Sequence, residues 1–290
     1  MLGYVLMLVY SLLNLGESMI VKAYATRHKS GGMMMNAIIA LFSALFFVIT
    51  NTDGYYFPEG MIPLAVINAF LYAAGFYSMF LAYKVGPYGL TSLISRFSLL
   101  IPIFYGIVFL NEPANAFTYI GIATIFGAMV LMNVEAKNSD SARQSGHISF
   151  KWLVYMLVTV LSNGFITILG RMQQIKYNDA CTKEFQMISI GGSFLLLAII
   201  GLINDRDKLG SVFKNGTLYG FGAGFLNGAK NFLSLLILLY LPISIVSPTK
   251  VGIGIILSFA VATVFYKEKY SLWQKIGVAL GALAVVLLAL

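Results

Sequence analysis

Long apolar runs make up most of the chain, and short groups of turn-forming and charged residues separate them. A bilayer core about 30 Å thick needs about 20 helical residues to cross it, and the runs are close to that length. Gly, Pro, Asn and Asp cluster at the breaks, as expected for turns. The pattern predicts ten transmembrane helices, over Leu2–Ala25, Gly32–Thr50, Met61–Tyr83, Tyr88–Leu110, Asn115–Val134, Lys151–Ile175, Thr182–Ile203, Leu218–Tyr240, Ile243–Tyr266 and Leu272–Leu290.

The sequence of Phe109–Leu131 is similar to that of Phe265–Leu287 when the two are aligned at an offset of 156 positions. This offset pairs Glu112 with Glu268. It also pairs Phe109 with Phe265, Ile120 with Ile276, Gly121 with Gly277, Ala123 with Ala279, Ala128 with Ala284, Val130 with Val286 and Leu131 with Leu287. We therefore predict a duplicated unit, with a first repeat at 1–134, a polar connection at 135–149 and a second repeat at 150–290.

Each repeat contains five helices, so the two repeats must insert into the membrane with opposite orientations. Inverted repeats of this kind place a substrate site near the bilayer midplane. The predicted fold is an all-α membrane protein with ten transmembrane helices in two inverted five-helix repeats.

Composition supports a membrane protein. Hydrophobic residues make up 59% of the chain and charged residues 10%, whereas soluble domains are about half apolar and a quarter charged. The net charge of +8 does not indicate nucleic-acid binding, because Lys and Arg lie mostly in the connections between apolar runs. The one cysteine, Cys181, excludes an intramolecular disulfide. We expect a multi-pass protein of the cell membrane.

Ten helices in two repeats, each with a conspicuous carboxylate in Asn111-Glu112-Pro113 or Lys267-Glu268-Lys269 before a helix rich in Gly and Ala, resemble the EamA-type transporters of the drug/metabolite transporter superfamily. The resemblance covers nearly the whole chain. It implies secondary transport, with substrates that range from amino acids, sugars and nucleotide sugars to phosphorylated metabolites and cationic drugs. It also implies cytoplasmic termini, whereas the excess of Lys and Arg in alternate connections places both termini outside.

The repeated carboxylates are interpreted as scaffold. Glu112 and Glu268 each precede a helix, where a negative charge suits the positive end of the helix dipole. Small residues in membrane helices let backbones approach closely. We assign that role to Gly121, Gly127, Gly277 and Gly281.

Charges within the apolar runs are the functional candidates, because an ionisable side chain in a membrane costs several kcal/mol unless it meets water or a partner. Four such residues are Glu17, Arg96, Lys230 and Lys250. Polar residues at helical spacing extend the set, and the predicted substrate-binding residues are Asn14, Glu17, Tyr72, Arg96, Asn163, Asn227, Lys230, Asn231, Ser247 and Lys250. For the cations, snorkelling or a structural salt bridge with Glu17 is the alternative. For Asn and Ser it is bonding between helices.

Three cations against one carboxylate favour a small polar metabolite that bears an anionic group, such as an amino acid, an organic acid or a phosphorylated metabolite. An exporter of neutral or cationic amphiphiles that uses Glu17 is the first alternative, and a non-transporting subunit or lipid-modifying enzyme is the second. No catalytic, metal or nucleotide motif is present in the sequence, so no cofactor is expected. Glu17 either exchanges a proton during transport or acts as a plain ion-pair partner, so protons are a candidate coupling ion.

Overall fold

All elements of the computed structural model are helical over the residues it describes, which are 2–28, 32–52, 54–85, 91, 94–133, 149–264 and 271–289. The helices are α1 Leu2–His28, α2 Met33–Thr50, α3 Met61–Val85, α4 Leu100–Phe109, α5 Ala116–Asn133, α6 Phe150–Tyr177, α7 Thr182–Asn204, α8 Thr217–Ile237, α9 Ile243–Val264 and α10 Leu272–Ala289. The observed bounds follow the predicted apolar runs, apart from two differences described below.

Six helices are long and apolar enough to cross a membrane: α1, α2, α3, α6, α7 and α9. Shorter apolar helices cover Ile94–Phe109, Ala116–Leu131 and Leu272–Leu288. Helix α8 falls into neither group, because Asn227, Lys230 and Asn231 interrupt its apolar sequence. The prediction of a helical, membrane-embedded protein is confirmed at this level.

The first difference concerns the predicted helix Tyr88–Leu110. A 3₁₀ turn at Phe97–Leu99 precedes α4, and Arg96 is the residue before that turn. Pro102 explains the change, because it lacks an N–H and its ring clashes with the carbonyl of residue 98 in a continuous α-helix. Because the α-helix resumes at Leu100, Pro102 falls in its first turn, where proline is tolerated. Arg96 ends the α-helical residues 94–96 directly before the 3₁₀ turn, and it is exposed.

The second difference is the connection between α7 and α8. The sequence predicts a turn at Asn204–Lys208. Instead the chain continues through a 3₁₀ turn at Arg206–Lys208, an α-helical turn at Leu209–Ser211 and a π-helical turn at Val212–Gly216.

Helices α5 and α10 start with equivalent side-chain caps. Asn115 Oδ1 accepts a hydrogen bond from the Thr118 backbone N–H at 2.9 Å. At the equivalent place Ser271 Oγ accepts from the Gln274 backbone N–H at 3.3 Å, and Gln274 Oε1 accepts from the Ser271 N–H at 3.0 Å. Such reciprocal caps satisfy backbone donors that a helix start leaves unpaired. The two caps lie 156 positions apart, and different residues provide them.

The chain packs as two compact units. The first unit comprises Met1–Ser11, Leu81–Gly164 and Ile237–Leu290, and in it α10 packs against α5 and α9. Its core centres on Leu99, Ile125, Met129 and Ala284.

The second unit comprises Leu12–Phe80 and Phe165–Leu236, and in it α2 packs along α7. Its larger core includes Met33, Phe47, Leu197 and Ala223. Both units take segments from both halves of the sequence, so they divide the chain differently from the predicted repeats, whose boundaries stay a prediction.

Candidate functional site

Helix α8 lies close to α2 in the second unit because one of its faces carries glycine at every fourth position. A Cβ atom placed on Gly224 would lie 2.7 Å from the carbonyl oxygen of Ile39, a contact that real Cβ atoms do not make. The glycines and the residues they face are Gly220 with Ile38, Gly224 with Phe42 and Gly228 with Phe46. Small residues therefore hold α8 against α2.

Helix α1 packs on α8 as well. Gly16 faces Leu226, and Gly222 faces Ile20. Three helices, α1, α2 and α8, thus come together around the polar positions of α8.

An ion pair lies at the centre of this arrangement. The Lys230 ammonium of α8 contacts Glu17 Oε2 of α1. The two side chains are 15% and 14% exposed, respectively, so surrounding protein covers most of both charges. A cation and a carboxylate this well covered stabilise each other only while both are present.

Three amide side chains and one hydroxyl surround the ion pair. Lys230 Nζ donates to Asn14 Oδ1 at 3.0 Å, and Asn227 Nδ2 donates to Glu17 Oε1 at 2.9 Å. Asn227 Oδ1 accepts from Asn231 Nδ2 at 2.8 Å and from Ser43 Oγ at 3.0 Å. We call these six residues the polar cluster: Asn14, Glu17, Ser43, Asn227, Lys230 and Asn231.

The polar face of α1 points away from its exposed apolar face. A helix turns by about 100° per residue, so Glu17 and Ser18 lie within about 60° of Asn14 around the axis. The exposed large apolar residues of α1 lie at least about 120° from Asn14; they are Leu2, Val5, Leu8, Val9 and Leu12. Ser18 is itself exposed. A polar, accessible face thus runs beside the cluster, separate from the face suited to lipid.

The structure therefore brings together five of the predicted substrate-binding residues, Asn14, Glu17, Asn227, Lys230 and Asn231. A sixth, Tyr72, lies in the same unit and packs against its apolar core. The other four, Arg96, Asn163, Ser247 and Lys250, belong to the first unit.

In the first unit, Lys250 of α9 lies over an aromatic ring. Its Nζ is 4.4 Å from the centroid of Tyr10, a distance at which the ring face attracts a cation. Ser247 lies one turn earlier on α9, and both side chains are partly buried. Asn163 is exposed on α6.

Glu112 serves as scaffold, but not for the helix that follows it. Its carboxylate accepts hydrogen bonds at the start of α9, from the Ile243 N–H at 2.9 Å and from the Ser244 N–H at 2.9 Å, and it also accepts from Ser244 Oγ at 2.6 Å. The expectation that it serves the start of α5 is wrong, because Asn115 already caps that helix. The Glu112 N–H bonds to the Gly106 carbonyl at 3.1 Å, in a turn that directs the carboxylate toward α9. Glu268 lies outside the described residues.

Ser43 is the member of the cluster that sequence reasoning missed. It is fully buried in α2, among apolar neighbours in the sequence, with no polar periodicity to single it out. The glycine spacing of α8 is the signal that predicts a close helix neighbour. Elsewhere, among the residues that the structure describes, no three His, Cys, Asp or Glu side chains converge as a metal site requires.

Comparison with known proteins shows the fold and no more. No family model and no curated protein matches the chain. A solved structure described as "Crystal structure of protein" is similar over 99% of this chain and 98% of its own, with a TM-score of 0.75 and 12% sequence identity. At this identity the similarity establishes a shared architecture along the whole chain and says nothing about substrate.

Proposed function

We propose that this protein is a secondary transporter of the EamA type, in the drug/metabolite transporter superfamily, which moves a small polar metabolite across the cell membrane. The proposed architecture is ten transmembrane helices in two inverted five-helix repeats, with alternating access to a site near the midplane. The polar cluster is the observation that carries the proposal.

Four polar side chains around a covered ion pair are costly in a membrane-embedded helix bundle, because each polar group must be kept hydrogen-bonded away from water. A purely structural role needs fewer of them, since Gly220, Gly224 and Gly228 already provide close packing of α8. Intramembrane polar groups beside an accessible face are typical of a substrate pathway.

The division into units supports the repeat. The boundary at Leu81 and the boundary at Ile237 are 156 positions apart, the same offset that relates the similar sequences. Helices α5 and α10 start at Ala116 and Leu272, again 156 apart. Each compact unit thus takes matching segments from the two halves, as expected of a duplicated chain.

The proposed substrate is polar, and its anionic group remains part of the proposal. Glu17 neutralises Lys230, so attraction of an anion depends on Arg96 and Lys250. The alternative of a cationic substrate bound by Glu17 is disfavoured, because Lys230 already neutralises that carboxylate. The same pairing favours the plain ion-pair interpretation of Glu17 over proton coupling.

Flux measurement tests the proposal. Purified full-length protein in proteoliposomes is expected to exchange at least one member of a panel of amino acids, organic acids, phosphorylated metabolites and sugars. The exchange should be saturable and should fall at least about tenfold in Lys230→Met, which removes the centre of the cluster.

Three results would count against the proposal. Movement of lipophilic cations alone would support the amphiphile exporter instead. Chemical change of a lipid without solute movement would indicate an enzyme. Folded protein that moves no solute would indicate a non-transporting subunit.

A further inference from the structure

The ion pair fixes the orientation of every amide in the polar cluster. Amide oxygen and nitrogen are assigned from their partners, and a lysine ammonium only donates while a carboxylate only accepts. Asn14 must therefore present Oδ1 to Lys230, and Asn227 must present Nδ2 to Glu17. Asn227 is left with its oxygen as the second contact, so Asn231 must donate to it through Nδ2.

These assignments leave one polar atom of Asn14 and one of Asn231 without a hydrogen bond in the cluster. Asn14 retains its Nδ2 donor and Asn231 retains its Oδ1 acceptor, and neither atom bonds to any residue within the part of the chain that the structure describes. Both residues are partly exposed, and neither atom is among the buried polar atoms without a partner. The cluster thus offers one donor on α1 and one acceptor on α8, on atoms that are not fully buried.

The charged groups, by contrast, face each other. Glu17 pairs with Lys230 through one oxygen and accepts from Asn227 through the other, so the cluster carries no net charge.

We propose that the polar cluster binds an uncharged group that carries both a hydrogen-bond acceptor and a donor, of which a primary carboxamide is the simplest example. The acceptor of the ligand takes the Asn14 Nδ2 hydrogen, and its donor bonds to Asn231 Oδ1. This inference rests on the proposed function and names the part of the substrate that this site recognises.

Electrostatics sets the expected selectivity. A carboxylate of the same shape has two acceptor oxygens, so one of them would face the Asn231 oxygen without a hydrogen between them. It would also bring an unpaired negative charge into a covered, neutral site. A site built to hydrogen-bond one polar group discriminates strongly against an analogue that leaves its own groups unpaired.

Binding to matched acid and amide pairs tests the proposal without requiring transport. The probes are glutamate with glutamine, aspartate with asparagine and nicotinate with nicotinamide, each titrated against detergent-purified protein with thermal stabilisation as the readout. The first two pairs keep a second carboxylate and the third does not, so a requirement for an anion elsewhere in the molecule is detected separately. We expect the amide of at least one pair to bind at least about tenfold more tightly than its acid.

Asn14→Asp is the decisive variant, because it keeps an acceptor for Lys230 and removes the Nδ2 donor. It should abolish the preference for the amide. Asn215→Asp, in the connection between α7 and α8, adds the same charge away from the cluster and should keep that preference. If Asn14→Asp does not fold, the comparison of acid and amide binding in the wild type still tests whether the site prefers an uncharged group.

Tighter binding of the acids, equal binding within each pair, or no binding of any amide up to about 100 mM would overturn the inference. Retention of the amide preference in folded Asn14→Asp would overturn it as well. Amide-selective binding without flux would instead contradict the proposed transport function but agree with recognition of an uncharged amide by the polar cluster.

Discussion

Replacing Lys230 with Met is expected to lower the free energy of unfolding by about 3–5 kcal/mol, the loss typical when one member of a buried ion pair is removed. The variant leaves the Glu17 carboxylate, which is only 14% exposed, without its cation. Unfolding of detergent-solubilised protein in a denaturant titration measures the loss. Lys214→Met is the matched control, since Lys214 is exposed in the connection before α8, and we expect it to change stability by less than about 0.5 kcal/mol.

The double variant Glu17→Leu with Lys230→Met separates the ion pair from simple packing. Removing both charges leaves no unpaired charge, so much of the stability lost in Lys230→Met should return. The double variant should still fail in transport, because the orientation of Asn14 and Asn227 depends on both charged partners. If the double variant loses as much stability as Glu17→Leu and Lys230→Met lose together, the two charges are not coupled and the cluster is not organised around them.

Replacing Glu112 with Ala should cost at least about 2 kcal/mol, because two backbone donors at the start of α9 lose their acceptor and each buried unpaired donor costs about 1–3 kcal/mol. Glu112→Gln keeps one acceptor oxygen and should cost less. Melting of the purified variants measures both effects. Asp207→Ala, at an exposed turn, is the control and should be nearly neutral.

The same variants test whether Glu112 is scaffold. Folded Glu112→Gln should bind substrate with a Kd within about threefold of the wild type, or roughly 0.65 kcal/mol. A much larger loss of affinity in well-folded protein would place Glu112 in the substrate pathway.

Local pattern was enough to predict the helices. Apolar runs of membrane length and their turn residues gave most of the helix bounds, because each depends on neighbours within a few residues. The 3₁₀ turn at Phe97–Leu99 shows where this reasoning failed. Pro102 interrupts the α-helical hydrogen bonding, so the chain passes through a 3₁₀ turn directly after Arg96.

Contacts between residues that are distant in the sequence could not be predicted. The partner of Glu112 is 131 positions away at Ile243, and the nearer start of α5 was the only candidate that local reasoning offered. Within the polar cluster, the charges and amides of α1 and α8 were conspicuous because the bilayer disfavours them. Ser43 was not, because a lone serine is common in membrane helices and only its position against Asn227 gives it a role.

Accessibility of the α1 face beside the cluster tests the central claim of alternating access most directly. Cys181 is the one native cysteine, so Cys181→Ser gives a background free of thiols. In that background, Ser18→Cys places a thiol one turn from Asn14 on the accessible polar face, and Leu12→Cys places one on the apolar face.

A charged, membrane-impermeant thiol reagent is applied to each side of oriented vesicles. The account predicts that Ser18→Cys reacts from both sides and Leu12→Cys from neither, because the polar face opens in turn to each side while the apolar face stays in lipid. Reaction of Ser18→Cys from one side only, or from neither, would contradict it.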